Sequence, residues 1–408
     1  MDLGGNMQVQ KEQIKFIKDK EQLGIVYDWN KIFKYYRALK CPDDCYEPTH
    51  VPMNAIDYMV GISKRSKGKT TGWLLIGLIM YLMYGTVTQY VRESVREIKP
   101  SVVSDIFKVI KTYNNGQYIR ELTGGKYNSI YYHWKKCYLC YMEDGKRIET
   151  DAEHFFYFLS YDEHEEYKSG YNEPRGDLII LDEFITSHNR INASVEFMDL
   201  FRTIQRKRLC CKIVMLANTT DVNNIWFRDL CISKEAKTIK EGEHKKIVVN
   251  DTVFYFEYIT TKLTNNDISI VKKFFGFAIN NPKFAHLIDT GNAWSYVNVP
   301  HINYDKDDKY LDRTYRLIFN DEMIHLELVR KSNGMLVIYA HPTKDMYDDS
   351  KVLTLEEIKA PTEKWGFGYG KYCRLLWKLY QRNLWYYSDN ETGAIVSNYV
   401  KHCRQKTL

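Results

Sequence analysis

No stretch of this chain is apolar for long enough to cross a bilayer. The longest, Trp73 to Met83, is eleven residues, where a spanning helix needs roughly 20. The first residues lack a signal-peptide pattern, so a soluble protein outside any membrane is expected. No internal repeat and no low-complexity tract is present. Charge of one sign is also lacking: 58 basic and 52 acidic residues leave a net charge of only +6. A global field is therefore too weak to recruit nucleic acid, and any such contact must rest on a local basic surface. Nine cysteines, an odd number in a long chain, exclude a small disulfide scaffold and point to reduced thiols. Cys41/Cys45 and Cys137/Cys140 are separated by nearly a hundred residues, and no histidine completes either pair at knuckle spacing. A zinc site there is disfavoured. Proline is scarce (9 residues) and tyrosine abundant (33), a bias read as gene composition without meaning for the fold.

What is present is an ordinary globular composition, 44% hydrophobic and 27% charged. At 408 residues the chain exceeds the usual single core, so two domains are expected. Ala55 to Gly61 reads as a strand, Thr70 to Tyr84 as a buried helix and Thr86 to Arg92 as a second strand. A helix and a hairpin turning at Glu143-Asp144-Gly145-Lys146 are expected over 101–150, and 151–176 reads as acidic and irregular. Asp177 to Leu181 and Lys212 to Ala217 are apolar strands, with helical spacing from Ser194 to about Gln205 between them. Apolar strands alternating with helices imply a parallel sheet covered on both faces. After about residue 235 the character changes. From Arg313, Tyr315/Leu317/Phe319 and Ile324/Leu326/Leu328 alternate, and Ser332-Asn333-Gly334 turns the chain into Met335/Val337/Tyr339. Helices are expected near 369–387 and 392–404.

Gly68-Lys69-Thr70, between a strand and a helix, has the context of a phosphate-binding P-loop. Backbone amides and a helix N-terminus cradle phosphate, the lysine reaches the terminal phosphates, and the hydroxyl ligates Mg²⁺. The loop departs from the usual spacing: counted from Gly61 it is two residues too long, and Ser63 stands where glycine is expected. Ser63, Lys64, Arg65, Ser66, Lys67, Gly68, Lys69, Thr70 and Thr71 form the candidate nucleotide-binding segment. A basic solvated loop is the alternative. The second motif is Leu178 to Leu181 followed by Asp182-Glu183. An apolar strand ending in two acids can place the first, with Thr70, at Mg²⁺ and the second at the attacking water. An exposed acidic turn is the bland reading. The order of the two motifs favours an ATPase, and the extra strand around Thr86 to Arg92 points to the P-loop subclass that carries a catalytic glutamate (ASCE). Asn218, after the strand Lys212 to Ala217, would bond the γ-phosphate water or Glu183, or is a turn-forming residue.

On these residues the chain resembles the DNA-packaging (encapsidation) ATPase of phi-29-like tailed phages. The resemblance runs over about 55–230 and rests on Tyr58–Gly61 with Arg65 and Gly68-Lys69-Thr70, Gln89–Arg92, Ile180–Ile185, Phe197–Asp199 and Leu216–Asn218. It implies that Glu183 is the catalytic glutamate and Asn218 its restraining partner. It further implies an arginine finger acting on a neighbouring subunit at Arg206, with Arg208 as a near alternative, and a second trans-acting residue at Lys168. A helix C-terminus favoured by cations is the plain reading of Arg206 to Arg208. Arg92, Arg96 and Lys99 follow the second strand where the family grips DNA, and would make salt-sensitive phosphate contacts. The implied cofactors are ATP and Mg²⁺. The implied partners are double-stranded DNA, a homo-oligomeric (pentameric) ring, the capsid portal and a structural packaging RNA, in the cytoplasm of an infected host.

The expected architecture is α/β: a P-loop NTPase domain with a mostly parallel sheet over 1–235, a connecting subdomain over 236–312, and an α+β domain over 313–408, which the resemblance implies is RNase H-like. That last domain lacks nuclease residues, because Tyr315 to Phe319 carries no carboxylate and Asp321-Glu322 fall in a turn. Lys371, Arg374, Lys378 and Arg382 line one helix face, either a grip for RNA or an acidic partner or a solvated face, while Leu375 and Leu379 pack inward. Two other functions fit the motifs less fully: another ring-forming P-loop translocase or helicase, and a non-enzymatic nucleic-acid-binding capsid-assembly protein.

Overall fold

The computed structural model describes residues 16–17, 24–39, 45–63, 68–112, 117–186, 190, 192–218, 222, 224–260, 273, 299–301, 306–319, 322–343, 351–354 and 370–406. It divides into two units. The first comprises 1–186, 192–219 and 235–262, and the second 187–191, 220–234 and 263–408.

In the first unit, β1 (Phe16–Ile17) and β2 (Gly24–Ile25) pair by themselves. The main sheet has nine strands. In order across it they are β10 (His244–Val249), β11 (Thr252–Tyr258), β3 (Tyr58–Ser63), β9 (Lys212–Asn218), β8 (Leu178–Asp182), β4 (Thr88–Arg92), β7 (Lys146–Ser160), β6 (Lys136–Glu143) and β5 (Ser129–His133). From β11 to β7 neighbours run parallel, and an antiparallel hairpin closes each edge. Every residue of β4 and β8 is buried, as expected for strands covered on both faces. The hairpin turn falls where the sequence placed it: Asp144 and Gly145 have φ of 49° and 74°, the two positive values of a type I′ turn.

Helix α1 (Trp29–Ala38) is amphipathic, burying Trp29, Ile32, Phe33 and Tyr36. Helix α2 (Lys69–Tyr84) is buried nearly all round, which marks it as a central helix. Gly77 lets it lie against β4, since a Cβ there would come within 2.4 Å of Thr88 Oγ1. Short helices α3 (Pro100–Ile106), α4 (Lys108–Thr112) and α5 (Gln117–Thr123) follow β4, α6 (His164–Gly170) follows β7, and α7 (Ala193–Gln205) links β8 to β9. Beyond β9 come α8 (Ile225–Asp229) and α9 (Ser233–Thr238).

Two expectations need correction. The span read as irregular, 151–176, holds the second half of β7, whose Phe155, Phe156, Phe158 and Leu159 are fully buried beside β4. The first half of β7 is exposed and charged, and its composition hid the strand. The connecting piece expected from 236 is split, because β10 and β11 extend the main sheet through the parallel pairing of β11 with β3. β9 lies between β3 and β8, and β4 lies on the far side of β8.

The second unit has a five-stranded sheet in the order β15 (Lys351–Thr354), β12 (Lys309–Phe319), β13 (Glu322–Arg330), β14 (Leu336–Pro342) and β16 (Trp385–Tyr387). β12, β13 and β14 form an antiparallel meander, and β15 and β16 are parallel to their neighbours. One face packs Tyr315, Leu317, Phe319, Ile324, Leu326, Leu328, Ile338 and Ala340 in a core with Leu376, Leu379, Val396 and Tyr399 of helices α10 (Gly370–Gln381) and α11 (Asn390–Lys406). Leu375 packs at the edge of this core and Leu379 within it, as their spacing required. In β14 the inward set is Ile338 and Ala340, one residue out of step with Met335/Val337/Tyr339. The first helix is shorter than expected, and β16 occupies its far end. Of the basic stripe, Lys378 and Arg382 are exposed; the side chains of Lys371 and Arg374 lie outside the described residues, as does Asp321.

Candidate functional site

Four parallel strands, β3, β9, β8 and β4, end side by side, and their C-terminal ends carry Ser63, Asn218, Asp182 and Arg92. The crevice beyond the carboxyl ends of parallel strands is where such sheets bind ligands.

Ser63 is the last residue of β3 and is fully buried. Gly61 lies inside the strand, where a Cβ would come within 2.9 Å of Met59 Cε, so the surplus length of the motif is absorbed by β3. Lys64, Arg65, Ser66 and Lys67 lie outside the described residues, as does Cys41. Gly68 opens α2 with φ of 59°, and a Cβ there would also meet Cys45 Sγ at 2.8 Å. Both facts demand glycine.

Lys69 is buried at 7% exposure. Its Nζ donates to Ser63 Oγ at 2.5 Å and to Asn218 Oδ1 at 3.2 Å. Burial pushes its pKa down to about 8, against the opposing pull of Asp182 and Glu183. Thr70 Oγ1 donates to Asp182 Oδ2 at 3.1 Å, and Thr71 is buried in the first turn. The two motifs, more than a hundred residues apart in the sequence, thus meet through a direct hydrogen bond.

Asp182 Oδ2 also accepts from Tyr90 Oη at 2.5 Å and faces Arg92 Nη2 at 3.2 Å. Burial and then Asp182 push the Tyr90 hydroxyl well above the phenol range, which keeps it a donor. Arg92 Nη1 also binds Glu183 Oε2. Burial works against the charge of Arg92, but Tyr90, Asp182 and Glu183 outweigh it and raise its pKa. Glu183 has φ of 55°, a left-handed conformation uncommon outside glycine and costing on the order of 1 kcal/mol or more. The turn leaves its carboxylate about half exposed, at 49%, in front of the buried Asp182.

Two residue roles differ from expectation. Arg92, expected at DNA, is 8% exposed and paired with both acids. Asn218 bonds Lys69, and Arg92 is the partner of Glu183. Tyr90 escaped the sequence reading and Arg92 was read as a DNA contact, although their spacing of two puts both on one face of a strand. Arg96 and Lys99 are exposed, beside a short turn capped reciprocally by Ser94 and Glu97.

Arg206 is exposed and left-handed (φ 41°) at the C-terminus of α7, with its guanidinium on the Tyr171 carbonyl. Arg208 is paired at 2.7 Å with Asp177, whose side chain is 1% exposed and also accepts from Tyr27 Oη at 2.6 Å. Breaking such a buried pair costs about 3–5 kcal/mol. Lys168 is exposed, 2.6 Å from Glu165 and 3.8 Å from Asp199.

The donor set suits magnesium triphosphate. A hydroxyl and a carboxylate, both hard oxygen ligands, lie together, with a lysine and a helix N-terminus beside them. Among the described residues, no helix is long and apolar enough to cross a membrane.

No family model matches the chain, and no curated protein matches it. Among solved structures it is similar to the Phi-28 gp11 DNA packaging motor, with a TM-score of 0.51, 16% identity, and coverage of 89% of this chain and 99% of that one. It is similar likewise to the bacteriophage Phi-29 viral genome packaging motor assembly, with a TM-score of 0.51, 16% identity, and coverage of 89% and 100%. At that identity the likeness is one of fold.

Proposed function

We propose that this chain is a magnesium-dependent ATPase of the phage DNA-packaging kind, driving double-stranded DNA into a preformed capsid. The observation that carries the reading is the hydrogen bond of Thr70 to Asp182, with Lys69 and Glu183 alongside. It unites a phosphate cradle with a paired-acid strand end. The fold shared with two packaging motors gives the reading its track.

In this reading Thr70 and Asp182 hold Mg²⁺, Lys69 and the amides at the start of α2 hold the phosphates, and bound ATP supplies the phosphoanhydride to be cleaved. Glu183 takes the proton of the attacking water. Arg92 aims and restrains the Glu183 carboxylate, the task first expected of Asn218. Arg206 and Lys168, both on the surface, reach a neighbouring subunit of a ring and stabilise charge on the transferring phosphate. Arg96 and Lys99 contact DNA phosphates, so DNA affinity falls steeply with salt. The capsid portal and a packaging RNA are the docking partners. The second unit is read as RNase H-like without nuclease activity.

The test is the rate of phosphate release with and without duplex DNA at several protein concentrations. Stimulation by duplex, growing with concentration, is expected. Stimulation by single strands alone would favour a helicase, and indifference to ATP would remove the reading altogether.

Affinity should also depend on pH. The free protein's Lys69 loses its proton as pH rises through about 8, whereas phosphate oxygens in the complex favour the charged form. Binding above that pH must therefore take up a proton, and Mg-ATP affinity should fall by up to about tenfold per pH unit. Calorimetry in buffers of different ionisation enthalpy reads that proton directly; no uptake between pH 8 and 9 would contradict the assignment.

A further inference from the structure

The second unit holds a cluster of ionisable side chains on its five-stranded sheet. His325 and Glu327 are two apart on β13 and share the sheet face opposite the helix-packed Ile324, Leu326 and Leu328, because side chains alternate along a strand. On the adjacent β14, His341 is the direct cross-strand partner of His325. One ligand atom from each of the three lies within 4.8 Å of the others.

Both imidazoles converge on a single oxygen. Glu327 Oε1 lies 3.5 Å from His341 Nε2 and 3.9 Å from His325 Nδ1. Two donors at tetrahedral angles on zinc, each at 2.0–2.1 Å, would be about 3.3 Å apart, so small rotations of these side chains close the set. The far nitrogen of His341 fixes its tautomer: Nδ1 is 3.1 Å from the Pro342 carbonyl, which can only accept. The N–H is therefore on Nδ1, and in the neutral ring Nε2 turns a lone pair toward a carboxylate oxygen. Two acceptors facing each other require a cation between them. A proton can bridge one histidine to Glu327, whereas a metal ion draws in all three. An outer N–H on a backbone carbonyl is also how metal-bound histidines are held.

We propose that His325, Glu327 and His341 form a zinc site. Two imidazoles and one carboxylate suit a borderline transition metal. Magnesium or calcium would want about six oxygens, which a single carboxylate does not supply. Three protein ligands leave a fourth position for water or for a side chain of a docked partner. The proposal stands independently of the ATPase reading.

The test is titration of the metal-stripped full chain with Co²⁺, followed by its visible absorption, with Zn²⁺ as competitor. One equivalent per chain should give nitrogen/oxygen-ligand bands that Zn²⁺ abolishes. His341→Gln and Glu327→Gln, at partly exposed positions, should each weaken binding at least about tenfold with the far-UV circular dichroism unchanged. His325→Ala is secondary, because His325 is buried. A near-UV thiolate band would assign the metal to the Asp177/Cys210/Cys211 group and overturn the proposal. So would absent binding, or nitrogen/oxygen bands indifferent to both substitutions.

Discussion

Lys69→Ala is expected to lose Mg-ATP binding by at least about 100-fold, equivalent to about 2.7 kcal/mol, while the folded chain keeps or gains stability. The first effect follows from removing the Lys69 ammonium, held between Ser63 and Asn218 at the start of α2. The second follows from linkage. The folded-state pKa of Lys69 is depressed from 10.5 to about 8, so below pH 8 the protein bears the full cost of a buried charge, on the order of 3 kcal/mol. That cost is relieved as pH rises from 8 to 10.5, where the unfolded chain binds more protons than the native one. Wild-type stability should therefore rise over that window and the variant's should not rise with it. Nucleotide titration and thermal melts at pH 7 and pH 9.5 measure both. A variant that still binds Mg-ATP tightly would remove the P-loop assignment; one that merely unfolds would contradict the buried-charge argument.

Glu183→Gln should bind Mg-ATP near the wild-type level and lower turnover by about 10²–10⁴-fold, the usual worth of a positioned general base. Glutamine keeps the size of the side chain and can still accept from Arg92, but it cannot take a proton from water. At 49% side-chain exposure the change should barely move stability. Single-turnover hydrolysis separates the chemical step from release. Normal turnover in this variant would mean that the base lies elsewhere, and since Asp182 is buried under three side-chain donors it is a poor substitute.

The recoverable parts of this site were those coded locally. Gly68-Lys69-Thr70 lies where a strand becomes a helix, and Asp182-Glu183 ends an apolar run, so both could be read from a dozen residues each. The spacing fault at Gly61 looked like a defect of the P-loop, yet that glycine is packed within β3 and Ser63 is the residue that meets Lys69. Arg92 was read as a surface residue for a different reason. A basic residue after a strand looks like surface, and nothing near it in the chain reveals that β8 lies alongside with two acids at the same level. In β14, Leu336 to Ala340 is apolar on both faces, so alternation alone could not choose the inward set, and a slip of one residue reverses it.

By itself, then, the order of residues determined the hairpin turns, the glycine-opened start of α2, the acid-tipped strand and the alternation of β12 and β13. Each depends on backbone preference or hydrophobic period over a few neighbours. Only the tertiary structure decided that β7, β10 and β11 join the main sheet, that Arg92 rather than Asn218 holds Glu183, and that His325, Glu327 and His341 share one point in space. Those are matters of which strands lie side by side, and that adjacency is set by burial summed over the whole core.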